Sequence, residues 1–124
     1  MTPQWIASSL DEFGRGFGLR TLALDARGAA VLRFENGWRL RFEYAEPFLT
    51  VMITMEMEQD ETQMARVLTA ANPAVERPYA LRAGYFVRTR EAVFAVRLAE
   101  REVTLVALEA AFQELWGTVV GLKG

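Results

Sequence analysis

Cysteine and histidine are both absent from this chain of 124 residues. Without cysteine it can form no disulfide, no thiolate zinc site and no thiol nucleophile. Without histidine it lacks the commonest transition-metal ligand and the usual general base near neutral pH. These absences argue against catalysis, and we expect a protein with no enzymatic activity, no metal and no cofactor.

A basic charge and long apolar runs are also missing. The formal net charge is −2 and the isoelectric point is about 5.2, the wrong sign for a domain whose main partner is nucleic acid or an anionic membrane. The start of the chain has no signal-peptide pattern, and we expect no segment to approach the roughly 18 apolar residues of a membrane span. We therefore predict a cytoplasmic protein that binds no nucleic acid and does not insert into a membrane.

What the chain does contain favours a folded core. Hydrophobic residues make up 52% of the sequence and charged residues 24%, which suits a compact domain of this length. No repeat, low-complexity tract or linker divides it. We predict a single domain over residues 1–124.

Helical periodicity marks both ends of the chain. A first helix, capped by Thr2 with Pro3 at its first position, is predicted from an apolar stripe at steps of four, three and four: Ile6, Leu10, Phe13 and Phe17. Glycines at positions 14, 16 and 18 end it, because glycine adopts the left-handed cap conformation without steric cost. They do not suit a phosphate-binding loop, which would need a strand before the glycines and a helix after them. Thr104 is placed to cap a last helix with the strongest stripe: Leu105, Leu108, Phe112, Leu115, Val119 and Leu122. A middle helix is predicted after a capping box at residues 60–63.

Alternation with a period of two begins from Arg20, where TLALD ends in a turn around residues 26–28 and leads into the predicted strands. They are VLRFE, WRLRFEY and FLTVMITMEM, followed by a hairpin of YALRAGYFV with AVFAVRL. A three-residue loop over residues 35–37, with Gly37 left-handed, pairs Leu32 with Leu40, whereas a two-residue loop would set Leu32 opposite Arg41. The predicted order is α-β-β-β-α-β-β-α, an α+β fold with an antiparallel five-stranded sheet and three helices.

Two groups of side chains could carry a partner. Arginines alternate with aromatic residues on the first two strands, so we expect the aromatic face to be core and the arginine side to be exposed: Arg33, Arg39 and Arg41. Four methionines lie close together and are either core filling or a dimer or client surface: Met52, Met55, Met57 and Met64. A nearby acidic cluster has no metal-loop spacing and is interpreted as solvated charge: Glu56, Glu58, Asp60 and Glu61.

Several stretches resemble the class I chaperones of type III secretion systems, the CesT-like family. WIASSLDEFGRGFGL is similar to their first helix, and LALDARGAAVLRFENGWRLRFEY is similar to their opening strands. The Trp-Ile start, ALRAGY and VTLVALEAAFQELW are similar to SycN-type members, which serve YopN-type gatekeepers. The likeness covers most of the chain.

This resemblance implies a chaperone that binds the N-terminal segment of a secreted client, a gatekeeper or an effector, and keeps it soluble and export-competent. It implies no catalysis, and a dimer that is either a homodimer or a heterodimer with a related YscB-like chaperone. By the same resemblance, the dimer interface would comprise Met64, Val67, Leu68, Leu81 and Tyr85. The client would bind at Trp5, Ile6 and Phe13.

Two other functions stay open on the residues alone. One is a YbjN-like binding or regulatory domain of the same architecture with no role in secretion. The other is a small hydrolase that uses paired carboxylates, although no spacing in the sequence selects a pair.

Overall fold

The computed structural model describes residues 2–57, 65–67, 69 and 79–123 of the chain. In chain order, the elements are α1 (Gln4–Arg15), β1 (Ala29–Arg33), β2 (Arg39–Ala45), β3 (Phe48–Glu56), α2 (described at residues 65–67 and 69), β4 (Leu81–Phe86), β5 (Glu91–Ala99), a 3-10 turn (Glu100–Glu102) and α3 (Leu105–Lys123). The five strands form one antiparallel sheet in the spatial order β1-β2-β3-β5-β4. The predicted element order and fold class are confirmed.

The β1–β2 hairpin has the predicted three-residue loop. Leu32 pairs with Leu40, the amide of Phe34 donates to the carbonyl of Trp38 at 2.9 Å, and Gly37 has a φ of +91°. A shift of one residue would turn every side chain of a strand to the other face. This loop therefore keeps the apolar side chains of both strands on one face.

The start of α1 differs from the prediction. Pro3 is itself the N-cap, with φ −57° and ψ 144°, and its carbonyl accepts the amides of Ile6 and Ala7 at 3.1 and 3.2 Å. No side chain caps the helix, so the assignment of Thr2 as the cap was wrong. The extended conformation of Pro3 moves the first helical residue to Gln4 and leaves Thr2 one position too far away.

The end of α1 lies in the glycine cluster, as predicted. The amide of Gly18 donates to the carbonyl of Arg15 at 3.0 Å, and the amide of Leu19 donates to that of Gly14 at 3.1 Å. These are the paired bonds of a Schellman motif, with Gly18 left-handed at φ +79°. Gly14 also permits a close contact, since a Cβ at this position would lie 2.6 Å from the Cβ of Leu22. The alternating stretch around Leu22 packs there and forms no strand.

The last helix, α3, is anchored on the sheet. The hydroxyl of Thr104 accepts the amide of Ala107 at 3.0 Å, which confirms the predicted cap. By length and composition alone, Leu105–Leu122 would also suit a membrane span, contrary to our expectation that no segment approaches one. Burial in the core accounts for only part of this composition: 28% of the window is buried, including four helix residues that are 0% exposed: Leu108, Ala111, Leu115 and Val119.

The two faces of the sheet differ. The described helices lie against one face, and most side chains of this face are buried, those at 0% exposure including Leu40, Phe42, Val51, Ile53 and Phe94. Alternation directs the other side chains to the opposite face, which we call the arginine face. It comprises Ala29, Val31, Arg33, Arg39, Arg41, Glu43, Ala45, Phe48, Thr50, Met52, Thr54, Glu56, Arg82, Gly84, Phe86, Glu91, Val93, Ala95, Arg97 and Ala99.

Candidate functional site

Seven aromatic rings meet where the end of α1, the β1–β2 hairpin and α3 come together: Phe13, Phe17, Phe34, Trp38, Phe42, Phe112 and Trp116. The ring of Phe13 lies 5.2 Å from that of Phe17 and 5.7 Å from that of Phe42, between centroids. Such a pair contributes about 0.5–1.5 kcal/mol beyond the burial of its area. This aromatic cluster holds the end of α1 against the hairpin.

The aromatic cluster reaches the surface in a groove of about 360 Å³ beside β1, which we call the edge groove. It is lined by Phe17, Leu19, Val31, Leu32, Arg33, Phe34 and Glu35. Phe17, Leu19 and Val31 are 40%, 38% and 38% exposed. The rings of Phe34 and Phe112 lie 5.9 and 5.3 Å from that of Phe17 and support it from behind. The groove is an apolar site on a packed aromatic floor.

Beside this groove, the backbone of β1 is partly unpaired. The amide of Phe34 and the carbonyl of Gly28 bond to the β2 side of the hairpin at 2.9 and 2.8 Å. Because residues of an antiparallel strand alternate in the direction of these groups, the amides and carbonyls of Val31 and Arg33 point away from β2. Within the described residues they have no backbone partner.

Asp25 closes the beginning of the same edge. Its amide donates to the carbonyl of Ala29 at 2.8 Å, and its Oδ1 accepts the amides of Arg27 and Ala29 at 2.8 and 3.0 Å. The bond from Ala29, followed by that from Arg27, holds the pKa of Asp25 below its usual value of 3.8. The open part of the edge therefore begins after Ala29.

A polar corner lies at the other end of α1. The indole Nε1–H of Trp5 donates to the carbonyl of Glu100 at 3.0 Å, and the hydroxyl of Tyr44 donates to the Glu100 carboxylate at 2.6 Å. The bond to Glu100 raises the pKa of Tyr44 to about 12. These contacts join α1, β2 and the 3-10 turn, and Trp5 stays 48% exposed.

The arginine face contains ion pairs and one ring contact. Arg39 pairs with Glu91 on β5, and Arg41 Nε lies 2.7 Å from the Glu43 carboxylate. The guanidinium of Arg97 lies 4.8 Å from the ring centroid of Phe48. Of the acidic cluster, only Glu56 lies within the described residues, and these hold no group of three side chains suited to a metal ion.

Comparison with known families decides the identity. The family model for the type III secretory system chaperone SycN matches residues 5–119. The chain belongs to this family. It is therefore a type III secretion chaperone, of a non-catalytic class. The match favours this function over the YbjN-like domain and over the small hydrolase.

Solved structures share the fold of this SycN-family chain. A chain of the ExsC–ExsE complex is 18% identical, with a TM-score of 0.72, over 90% of this chain and 86% of that chain. In the complex of the Yersinia pestis chaperone SycH with a fragment of YscM2, a chain is 16% identical, with a TM-score of 0.72, over 94% and 98% of the two chains. A chain of the HopA1–SchA complex is 18% identical, with a TM-score of 0.67, over 97% of this chain and 91% of that chain. No curated protein sequence matches the chain.

The three residues predicted to bind the client do not form one exposed surface. Trp5 is exposed at the polar corner, whereas Ile6 and Phe13 are 0% and 3% exposed. Phe13 does not line the edge groove, but its ring lies 5.2 Å from that of Phe17, which does. Of the three, Trp5 alone is exposed in this conformation. The role of all three in client binding stays a prediction.

The residues predicted at the dimer interface are also largely internal. Val67 is 2% exposed and Leu81 is 9% exposed, and both belong to the core cluster. Tyr85 is half-buried, and its hydroxyl donates to the carbonyl of Met57 at 2.9 Å. Met64, Leu68 and the capping box at residues 60–63 lie outside the described residues. The dimer interface therefore stays a prediction.

Sequence reasoning did not assign the edge groove to a partner. Phe17 was placed in the first helical stripe, although it follows Gly16 and lies beyond the end of α1. An aromatic residue between two glycines is a signal that could have found it, because a helix that has ended no longer directs that side chain to the core. Leu19 and Val31 carry no such local signal.

Proposed function

We propose that this chaperone is cytoplasmic and binds the N-terminal segment of a secreted client, an effector or a gatekeeper, at the edge groove. The segment pairs with the open edge of β1 as an added strand and is thereby kept unfolded and export-competent. The observation that carries this proposal is the unpaired backbone of Val31 and Arg33 beside exposed apolar side chains. The structurally similar HopA1–SchA assembly is a chaperone–effector complex, which supports a protein client.

The two components of the site divide the work of recognition. The amides and carbonyls of Val31 and Arg33 offer four hydrogen-bonding groups in the spacing of a strand. An added strand gains affinity from such bonds, and its alternate side chains supply specificity by entering pockets. One row of client side chains would enter the groove at Phe17 and Leu19, so we expect apolar residues two positions apart in the client.

Proline at Val31 tests the backbone component. The amide of Val31 points away from β2, so Val31→Pro removes one donor offered to the client without breaking a bond of the sheet. Val31→Thr is the matched control, because it keeps the amide and suits a strand. We expect Val31→Pro to weaken client capture by at least fivefold and Val31→Thr to change it much less.

The measurement is a pull-down from a native lysate, followed by mass spectrometry and limited proteolysis of the captured client. Phe17→Ser tests the apolar component, with Val106→Ser as its control, because Val106 is 76% exposed on α3 and does not line the groove. The protected fragment should come from the N-terminal part of the client. Equal capture by Val31→Pro, Phe17→Ser and the unmodified chain would overturn the proposal.

The same proposal includes a dimer of this domain, spanning residues 1–124, either with itself or with a related YscB-like chaperone. Because Val67 is buried in the core, Val67→Asp would put an unpaired charge inside the protomer and unfold it, and so would not test the interface. Light scattering of the unmodified chain at micromolar concentration is the direct measurement. A monomer that no related chaperone converts to a dimer would contradict this part of the proposal.

A further inference from the structure

The arginine face has the opposite charge to the chain as a whole. Among the described residues it holds five arginines and three glutamates, in a chain whose net charge is −2. Two arginines are paired with carboxylates, Arg39 with Glu91 and Arg41 with Glu43. Within the described part of the chain, the other three have no carboxylate partner: Arg33, Arg82 and Arg97. The face therefore carries a net positive charge, part of which no described carboxylate neutralises.

The centre of this face is apolar. One row across the sheet runs Val31, Arg41, Met52, Ala95 and Arg82, so that two apolar side chains on the central strands lie between two arginines. In the next row, Val93 pairs with Gly84, and a Cβ on Gly84 would meet nothing within 4 Å. Gly84 therefore leaves one side of Val93 uncovered, as a shallow notch in the strip.

The dimensions of this strip suit a helix. Arg41 and Arg82 lie on β2 and β4, three strand spacings apart, or about 14 Å at the usual separation of about 4.8 Å. A helix with its side chains is about 10–12 Å across. It would rest its apolar stripe on Met52, Ala95 and Val93 and direct acidic side chains to the arginines on both flanks. An added strand would need a sheet edge and could not bind to a face.

We propose that the arginine face docks an acidic amphipathic helix of a second protein, distinct from the client of the edge groove. A sheet commonly buries an open face under a helix, and the unpaired arginines select one with acidic flanks. The helices α1 and α3 of a second copy are poor occupants, because their apolar stripes are already buried in their own protomer. Nucleic acid is disfavoured by the three glutamates, and the ring of Phe48 is already covered by Arg97.

Methyl NMR of the full chain tests this proposal at a single residue. The probe is a synthetic helical peptide of about 20 residues, with leucine along one face and glutamate on both flanks. Met52 lies on the arginine face, whereas Met55 and Met57 are 2% and 7% exposed on the core side. The acidic peptide should shift the labelled methyl of Met52 and leave those of Met55 and Met57 in place. The same peptide with lysine for glutamate should shift none of them.

Variants of the face set the magnitude. The double change Arg82→Glu with Arg97→Glu should lower the affinity for the acidic peptide by about tenfold or more, since it replaces two attractive charges by repulsive ones. Two single-site controls are Arg101→Glu, an exposed arginine of the 3-10 turn, and Phe17→Ser in the edge groove. Both should leave the affinity within about twofold. Gly84→Val should fill the notch over Val93 and lower the affinity for the acidic peptide without unfolding the sheet.

Several results would overturn the inference. They are an unmoved Met52 methyl, an equal loss with Arg101→Glu, or a shift produced as strongly by the lysine peptide or by single-stranded DNA. A Met52 shift that appears on concentrating the chain without peptide would instead make this face a contact between two copies. If the Phe17→Ser variant no longer bound the peptide, the peptide would bind in the edge groove and not on the arginine face. None of these results depends on client capture, so failure here leaves the proposed function standing.

Discussion

The edge groove and the arginine face share one strand but offer opposite chemistry. In β1, Leu32 and the following Phe34 point to the aromatic side, whereas Val31 and Arg33 point to the arginine face. The groove combines aromatic rings with unpaired backbone, and the face combines an apolar strip with unpaired arginines. Our two proposals therefore place an extended segment at the edge of β1 and a helix farther along the outer face of the same sheet, on β3 and β5.

The two sides also differ in what they contribute to stability. The aromatic side is continuous with the core, so a change there affects both folding and any partner bound in the groove. The arginine face lies outside the core, so its side chains can change with little cost to the fold. Mutations can therefore separate the two surfaces, and the largest effects are expected on the aromatic side.

Adjacent residues of β3 provide the sharpest test of this contrast. Ile53 is 0% exposed and faces the core, whereas Met52 faces outward. We expect Ile53→Ala to lower the free energy of unfolding by about 2–5 kcal/mol through the cavity that it leaves. Met52→Ala should cost less than about 1 kcal/mol. Urea denaturation measures both, and equal losses would mean that another part of the protein covers the arginine face.

Phe112 tests how far the groove depends on its aromatic floor. Its ring lies 5.3 Å from that of Phe17 and 5.9 Å from that of Phe13, and it is half-buried. We expect Phe112→Ala to destabilise the chain by about 2–3 kcal/mol, below the range for a fully buried ring. We therefore expect the last helix to act as core and not as a client site. Loss of client binding with an unchanged melting temperature would contradict it.

Much of the architecture was predictable because local rules decide it. The left-handed Gly37 followed from the need to keep Leu32 and Leu40 on one face, and the cap of α3 followed from Thr104. The rule that places proline in the first turn of a helix is also local, but it misplaced the start of α1. The φ of Pro3 suits an extended N-cap residue as well as a first helical residue, and in this structure Pro3 is the N-cap.

The candidate site was less predictable because it depends on distant pairing. β1 is an edge strand only because the sheet has the order β1-β2-β3-β5-β4, and no local pattern specifies that order. Periodicity found the apolar stripe of α1 but could not tell whether it faces a client or the protein's own sheet. Ile6 and Phe13 are buried in the core cluster, so the protein's own core covers that part of the stripe.

Salt provides a test of the comparison through binding. Client affinity at the edge groove should rest on apolar burial and strand hydrogen bonds, so it should change little between low and moderate salt. Burial on the order of 1,000–3,000 Å² by a disordered segment should give a clearly negative heat-capacity change. The affinity of the acidic peptide for the arginine face should instead fall steadily as the salt concentration rises. Calorimetry that finds the client steeply salt-dependent, with a heat-capacity change near zero, would place the client on the arginine face.

The smallest expected effect concerns Asp25, which sets where the open edge begins. The amides of Ala29 and Arg27 stabilise its ionised form and lower its pKa in the folded state. A carboxyl with a lowered folded pKa stabilises the fold above its unfolded value, near 3.8, and loses that contribution as pH falls through the folded value. Asp25→Asn should therefore lower the urea midpoint at pH 6, and the difference from the unmodified chain should shrink towards pH 3. Glu12→Gln, on the exposed side of α1, is the control for loss of one negative charge. A difference that is the same at pH 6 and pH 3 would show that ionisation of Asp25 does not support this edge.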